Sequence, residues 1–164
     1  MSATLRTLNC IKTFRHAVVD SLKAANLFGI GQNVSASREM KAYPDEESFI
    51  IVNVPKIDFD DKSTSPRFYF AKSELRIDIY ARSFLDDEKN IEGVSSVSDL
   101  NDFLDDTMQA VAAVIDPCPY WEGPYQGLVT KCVLRSYVNN LSVRSETTRG
   151  AATLTFEVSF TAKI

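Results

Sequence analysis

Two stretches decide the fold: ELRIDIYAR, residues 74–82, and ATLTFEVSFTA, residues 152–162. In the first, Leu75, Ile77, Ile79 and Ala81 alternate with Glu74, Arg76, Asp78 and Tyr80. In the second, Leu154, Phe156, Val158 and Phe160 alternate with Thr153, Thr155, Glu157, Ser159 and Thr161. Successive side chains of a strand point to opposite faces, so a period of two puts one row in a core and the other in water. This is the mark of antiparallel strands in a sheet covered on one side.

Outward from these, SFIIVNVP (residues 48–55) holds the unbroken apolar run Phe49, Ile50, Ile51 and Val52, which reads as a strand buried on both faces and ended by Pro55. Leu128 to Val143 forms the partner arm of the last strand, with Val129, Val133, Tyr137 and Leu141 as its apolar row. The segment RSETTRG, Arg144 to Gly150, then reads as a long polar hairpin loop.

Two stretches instead carry a helical period. From Thr4 to Phe28 the stripe is Leu8, Ile11, Arg15, Val18, Leu22 and Ala25, with Thr4 as N-cap and Gly29 as the left-handed stop. From Ser98 to Ile115 it is Leu100, Phe103, Leu104, Met108, Val111, Val114 and Ile115, halted by Pro117 and Pro119. Residues 31–48, 58–66 and 84–97 read as polar connectors. The expected fold is α+β in the order α-β-β-α-β-β. It has a mostly antiparallel four-stranded sheet (48–54, 74–82, 129–142, 152–162) with two helices on one face, in a single domain spanning 1–164.

Composition narrows the function classes. Apolar residues are 45% and charged residues 24% of the 164, an ordinary globular balance. The net charge is −4, from 22 acidic and 18 basic residues, the wrong sign for a phosphate-binding surface. Three scattered cysteines (Cys10, Cys118, Cys132) form no CxxC pair, which fits a reducing compartment and neither a disulfide framework nor a zinc site. Lys12, Arg15 and His16 interrupt the only N-terminal apolar stretch, and no run approaches the roughly 20 apolar residues of a membrane span. Folding in a cytoplasm, away from membranes, is the expectation.

No catalytic constellation assembles from the sequence. His16 is the sole histidine and has no partner for a triad or a metal. Asp58, Asp60 and Asp61 space like half a calcium loop but lack its glycine and closing glutamate, and Asp86, Asp87 and Glu88 make a second acidic turn. Both read as solvated turns, and the cysteines as inert thiols. Gly29-Ile30-Gly31 completes no phosphate-binding fingerprint. Phe68, Tyr69, Phe70, Tyr120, Trp121 and Tyr125 suit core or subunit contacts better than base stacking in so acidic a chain. The chain is expected to be no enzyme, to hold no cofactor or metal, and to work through its surfaces.

The order of elements resembles the tail-terminator (tail-completion) proteins of long-tailed bacteriophages, the family of the lambdoid terminator. The N-terminal helix ending near Gly29, ESFIIVNVP, ELRIDIYAR, SDLNDFLDDTMQAVAAVI and SVRSETTRGAATLTFEVSFTA carry the resemblance, over residues 4 to 162. The chain departs from the family in longer insertions around Asp58–Phe70 and Pro117–Gln126. The resemblance implies a virion protein forming a hexameric ring at the head-proximal end of the tail tube. Such a ring stops tube polymerisation, presents a surface for the head-completion or neck protein, and lets double-stranded DNA pass without specific binding. Its mechanism would be surface complementarity, with a head-to-tail contact that closes instead of growing a filament. The expected subunit contacts are Arg144, Glu146 and Arg149 in the polar loop and Glu74, Arg76, Asp78 and Tyr80 on the outward strand face. The competing readings are a phage neck or head-completion protein and a cellular α+β module that binds a small ligand or nucleic acid.

Overall fold

The computed structural model describes residues 3–36, 48–59, 68–84, 97–115, 129, 131–143 and 147–163. Their order is α1 (Ala3–Ala25), β1 (Val34–Ser35), β2 (Phe49–Asn53), β3 (Ile57–Phe59), β4 (Phe68–Phe84), α2 (Val97–Ile115), β5 (Lys131–Val143) and β6 (Thr147–Lys163). The fold is α+β, and the described sheet has six strands rather than the four expected. It runs β1-β2-β4-β6-β5, with β3 also pairing with β4. Every pairing is antiparallel except β1 with β2.

The additional strands are short, and they fall in segments read as connectors. Val34–Ser35 runs parallel to Ile50–Ile51. Ile57–Phe59 pairs with Ala71–Ser73 along the same side of β4 that β2 occupies higher up. Between β2 and β3, Val54, Pro55 and Lys56 span only two residues of β4, Glu74 and Leu75. One extra residue must bulge there, and Pro55, which has no N–H to give a ladder, sits in the gap. The buried Ser73 hydroxyl donates to the Lys56 carbonyl across that irregularity.

β4 and β6 pair over seventeen residues, from Phe68↔Lys163 to Phe84↔Thr147. The register sets Leu75 opposite Phe156, Ile77 opposite Leu154 and Ile79 opposite Ala152. All six are buried, as the alternation of both strands requires. β2 is buried on both faces: Ile50 and Val52 join the main core, while Phe49 and Ile51 lie on the other side with Tyr80 and Asp78.

Both helices cover the face carrying Leu75 and Phe156. On α1 the stripe is Ile11, Phe14, Val18 and Leu22. Phe14, not the expected Arg15, takes the place after Ile11, and its ring meets Phe160 edge-on with centroids 5.8 Å apart. The helix also stops earlier than the sequence suggests. Asn26 adopts φ +47° just after Ala25, so an asparagine makes the left-handed exit, while Gly29 (φ +73°) belongs to the turn beyond. Thr4, expected as N-cap, lies inside the helix.

On α2, Leu100, Phe103, Leu104, Val111 and Ile115 are buried, and Met108 is half-buried against the core. This helix lies so close to β6 that a β-carbon on Gly150 would fall 2.7 Å from Leu104 Cδ1 and 3.3 Å from Leu100 Cδ2. Gly150 therefore belongs to the helix-packing surface of a strand and to no loop.

The hairpin needs the largest correction. Thr147 to Gly150 are already in β6, so the last four of the seven residues expected as loop are strand, and Arg144 to Glu146 lie outside the described residues. In β5 the register slips at Arg135, between Leu134 and Ser136. Cys132 and Leu134 are therefore in phase with Tyr137 and Leu141, while Val133 sits opposite Glu157 on the other face. The sequence row Val133, Tyr137, Leu141 is broken by that bulge.

Candidate functional site

Among the described residues, the face of the sheet away from the helices brings the expected contact residues of β4 together. β4 places Glu74, Arg76, Asp78 and Tyr80 on it, and β6 places Ala151, Thr153, Thr155 and Glu157 opposite them in reverse order. β5 adds Lys131, Val133, Arg135, Ser136 and Val138.

The four β4 residues do not share one environment. Glu74 and Arg76 are exposed, as expected. Asp78, expected to be wet, is only 4% exposed. Its Oδ1 accepts from Arg76 Nε at 3.1 Å and from the Thr153 hydroxyl at 2.7 Å. A buried carboxylate is tolerable only with such partners. Tyr80 is half-buried and stacks on Phe49, centroids 4.9 Å apart and planes 19° off parallel. Burial pushes its phenol pKa up, the nearby Asp78 charge adds to the rise, and Arg76 opposes it.

A second polar centre lies across the ribbon. Glu157 accepts from Lys131 Nζ at 3.3 Å and from Arg135 Nε at 3.2 Å. These contacts, Arg135 first, hold its carboxyl below the ordinary range. The register sets Glu74 directly opposite Glu157, and like charges so placed repel. Arg135 and Lys131 on the next strand offset that repulsion. Lys56, Asp58, Lys72, Ser73 and Glu74 line a shallow pocket that Glu157 completes, with Lys56 and Asp58 paired at 3.2 Å.

The nominated loop residues fare differently. Arg144 and Glu146 lie outside the described residues. The backbone of Arg149 is inside β6, in register with Arg82 of β4 and Ser142 of β5, so it is a mid-sheet position and not a loop tip. Thr153, Lys131, Arg135 and Glu157 complete the two polar centres and were not nominated. The alternation of 152–162 already put Thr153 and Glu157 on the outward face; what was missing was the cross-strand register.

On the helix side, the edge strand is tied to α2 by two polar contacts. Tyr137 donates its hydroxyl to Asp105 Oδ1 at 2.7 Å, and Asn139 Nδ2 donates to Asn101 Oδ1 at 2.7 Å. Burial and the Asp105 contact push the Tyr137 pKa well above the ordinary tyrosine range.

His16 is exposed on α1, and Cys132 is half-buried against the core. Asp58 is exposed in β3, while Asp60, Asp61, Asp86, Asp87, Glu88 and Cys118 lie outside the described residues, as do Tyr120, Trp121 and Tyr125. Among the described residues, no three histidine, cysteine or carboxylate groups converge as metal ligands. No described helix is long and apolar enough to cross a membrane.

No family model matches the chain, and no curated protein does. Among solved structures, a chain of the virion of the native gene transfer agent (GTA) particle is similar, with a TM-score of 0.45 and 12% identity. The match covers 88% of this chain and 93% of that one. A likeness at that level assigns no role to this chain.

Proposed function

We propose that this chain is a structural virion protein of a tailed phage, a terminator that closes into a hexameric ring on the head-proximal end of the tail tube. The ring halts tube elongation and offers the surface to which a head-completion or neck protein attaches. It acts by complementary surfaces and carries out no chemistry. The observation that carries the reading is the two-sided sheet. One face is sealed by α1 and α2, and the other holds two fixed polar centres, Arg76–Asp78–Thr153 and Lys131/Arg135–Glu157, along a seventeen-residue ribbon. Paired charges on a rigid strand face select partner and register more than they add affinity, as an assembly cap requires. The order of elements quoted for the terminator resemblance supports the same reading.

Within such a ring, DNA passes six copies of a chain with net charge −4. A conduit of that sign offers few phosphate contacts to slow passage. Light scattering tests the assembly: the expected species has about six times the 18.3 kDa protomer mass. A protomer that stays monomeric at every concentration, with tube protein present, contradicts the proposal.

A further inference from the structure

We infer that successive copies join through opposite ends of the helical layer, the basic flank of α1 in one copy lying against the acidic flank of α2 in the next. The inference rests on the ring reading and says how the ring closes. Charge divides between the two helices. α1 carries Arg6, Lys12, Arg15 and Lys23, with Asp20 as its one acidic residue. α2 carries Asp99, Asp102, Asp105 and Asp106, with no lysine, arginine or histidine.

The helices turn these charges away from each other. At about 100° per residue, Lys12 and Lys23 share one line of α1, beside the buried Val19. That line faces the β1 end of the sheet, since Gln32, just before β1, donates from Nε2 to the Lys23 carbonyl at 3.0 Å. On α2, Asn101, Asp105, Met108 and Ala112 recur at i, i+4, i+7 and i+11, which is again one line. It faces β5, where Asn101 and Asp105 bond Asn139 and Tyr137. Phe103, on the other side of α2, meets Phe28 beyond the end of α1, ring centroids 6.4 Å apart. β1 and β5 stand at opposite ends of the strand order. One end of the helical layer is therefore basic and the other acidic.

Three observations select this joint. The first is charge. Two α1 flanks would set lysine against lysine, and two α2 flanks aspartate against aspartate. The pattern rejects a two-fold pairing and admits the head-to-tail contact that closes into a ring.

The second is the build of the acidic flank. Asp102 and Asp105 are exposed, and the Tyr137 hydroxyl holds the Asp105 carboxylate in place through Oδ1. Met108 and Ala112 on the same line, and Leu134 on the helix side of β5, are only partly buried against the core. The flank thus offers an apolar seat beneath a charged rim, the layout of a protein interface.

The third is height. Phe14 of α1 meets Phe160. Tyr137, which holds Asp105, pairs with Leu154, six residues back along β6 and about 20 Å away. From Phe14 to Lys23, α1 climbs about 13 Å in the same direction, toward Phe103. Lysine and aspartate side chains together span the difference. Copies turned about an axis along the strands therefore bring Lys23 to Asp105 at nearly one height.

Charge reversal tests the joint. Lys12→Glu/Lys23→Glu makes both flanks acidic, and Asp102→Lys/Asp105→Lys makes both basic. Each variant alone should assemble about tenfold more weakly than the parent by light scattering. An equimolar mixture should recover parent assembly, because the two chains alternate around an even-numbered ring. Thermal melting checks that each variant is folded, and the parent itself should assemble less tightly as salt rises. Variants that assemble like the parent, folded variants that fail to recover on mixing, or a parent indifferent to salt would each overturn the joint and leave the ring standing. A parent chain that never assembles, with tube protein present, removes both.

Discussion

Gly150 and Leu104 are packed so closely that the space a β-carbon would occupy on the strand ends 2.7 Å from the helix side chain. Leu104 is fully buried and cannot swing out, and Leu100 closes the other side at 3.3 Å. Gly150→Val should therefore destabilise the protein by about 1–3 kcal/mol through overpacking. At this chain length each kcal/mol lowers the midpoint by about 2–4 °C in a thermal melt. A variant melting with the parent would show that α2 does not press on β6.

Phe156 is fully buried, opposite Leu75 in the middle of the ribbon. Phe156→Ala should cost roughly 3–5 kcal/mol, the sum of lost burial and the cavity left behind. Denaturant unfolding should record this as a lower midpoint with an unchanged slope.

Asp78 tests whether the outer face is held rigid. Thr153→Val removes one of the two hydrogen bonds it accepts among the described residues and leaves the buried carboxylate with Arg76 there. The expected loss is about 1–3 kcal/mol, the cost of an under-satisfied buried charged acceptor. A neutral result would mean that water replaces the hydroxyl there.

The Glu157 carboxyl is held below its usual range by Arg135 and Lys131. A depressed folded-state pKa gives stability that is present above the unfolded value, near 4.3, and lost as pH falls through the folded one. The stability difference between the parent and Glu157→Gln should be steady near neutral pH and shrink as the solution is acidified. Added salt should shrink it too, since both cations are exposed. A difference that grows on acidification contradicts the assignment.

His16 is exposed on α1. His16→Gln should leave melting, assembly and tail joining at parent levels. A folded, assembled His16→Gln protein that cannot complete tails would mean that His16 does chemistry or makes a contact of its own.

The strong periodicities told most about the fold. The alternation of 74–82 and 152–162 placed both inner rows correctly, and the unbroken run at Phe49–Val52 identified a strand buried on both faces. Errors arose where one residue shifts a phase. The bulge at Arg135 turned Val133 to the other face, which no composition rule signals. Asn26 took the helix exit because asparagine tolerates positive φ, and the reading preferred the later glycine. Thr147 to Gly150 look like loop by composition, yet β4 is long enough to keep them in its ladder, and Gly150 is required there by α2. The outer face was legible one strand at a time. Its two polar centres were not, because Asp78–Thr153 and Glu157–Lys131 depend on register between strands that are distant or bulged.

The central claim, that this protein caps the tail tube, is tested most directly by electron microscopy of particles made without it. Uncapped tubes should grow to abnormal lengths and fail to join filled heads, and supplying the protein should restore both length and joining. Tails of normal length, joined to full heads in its complete absence, would contradict the claim.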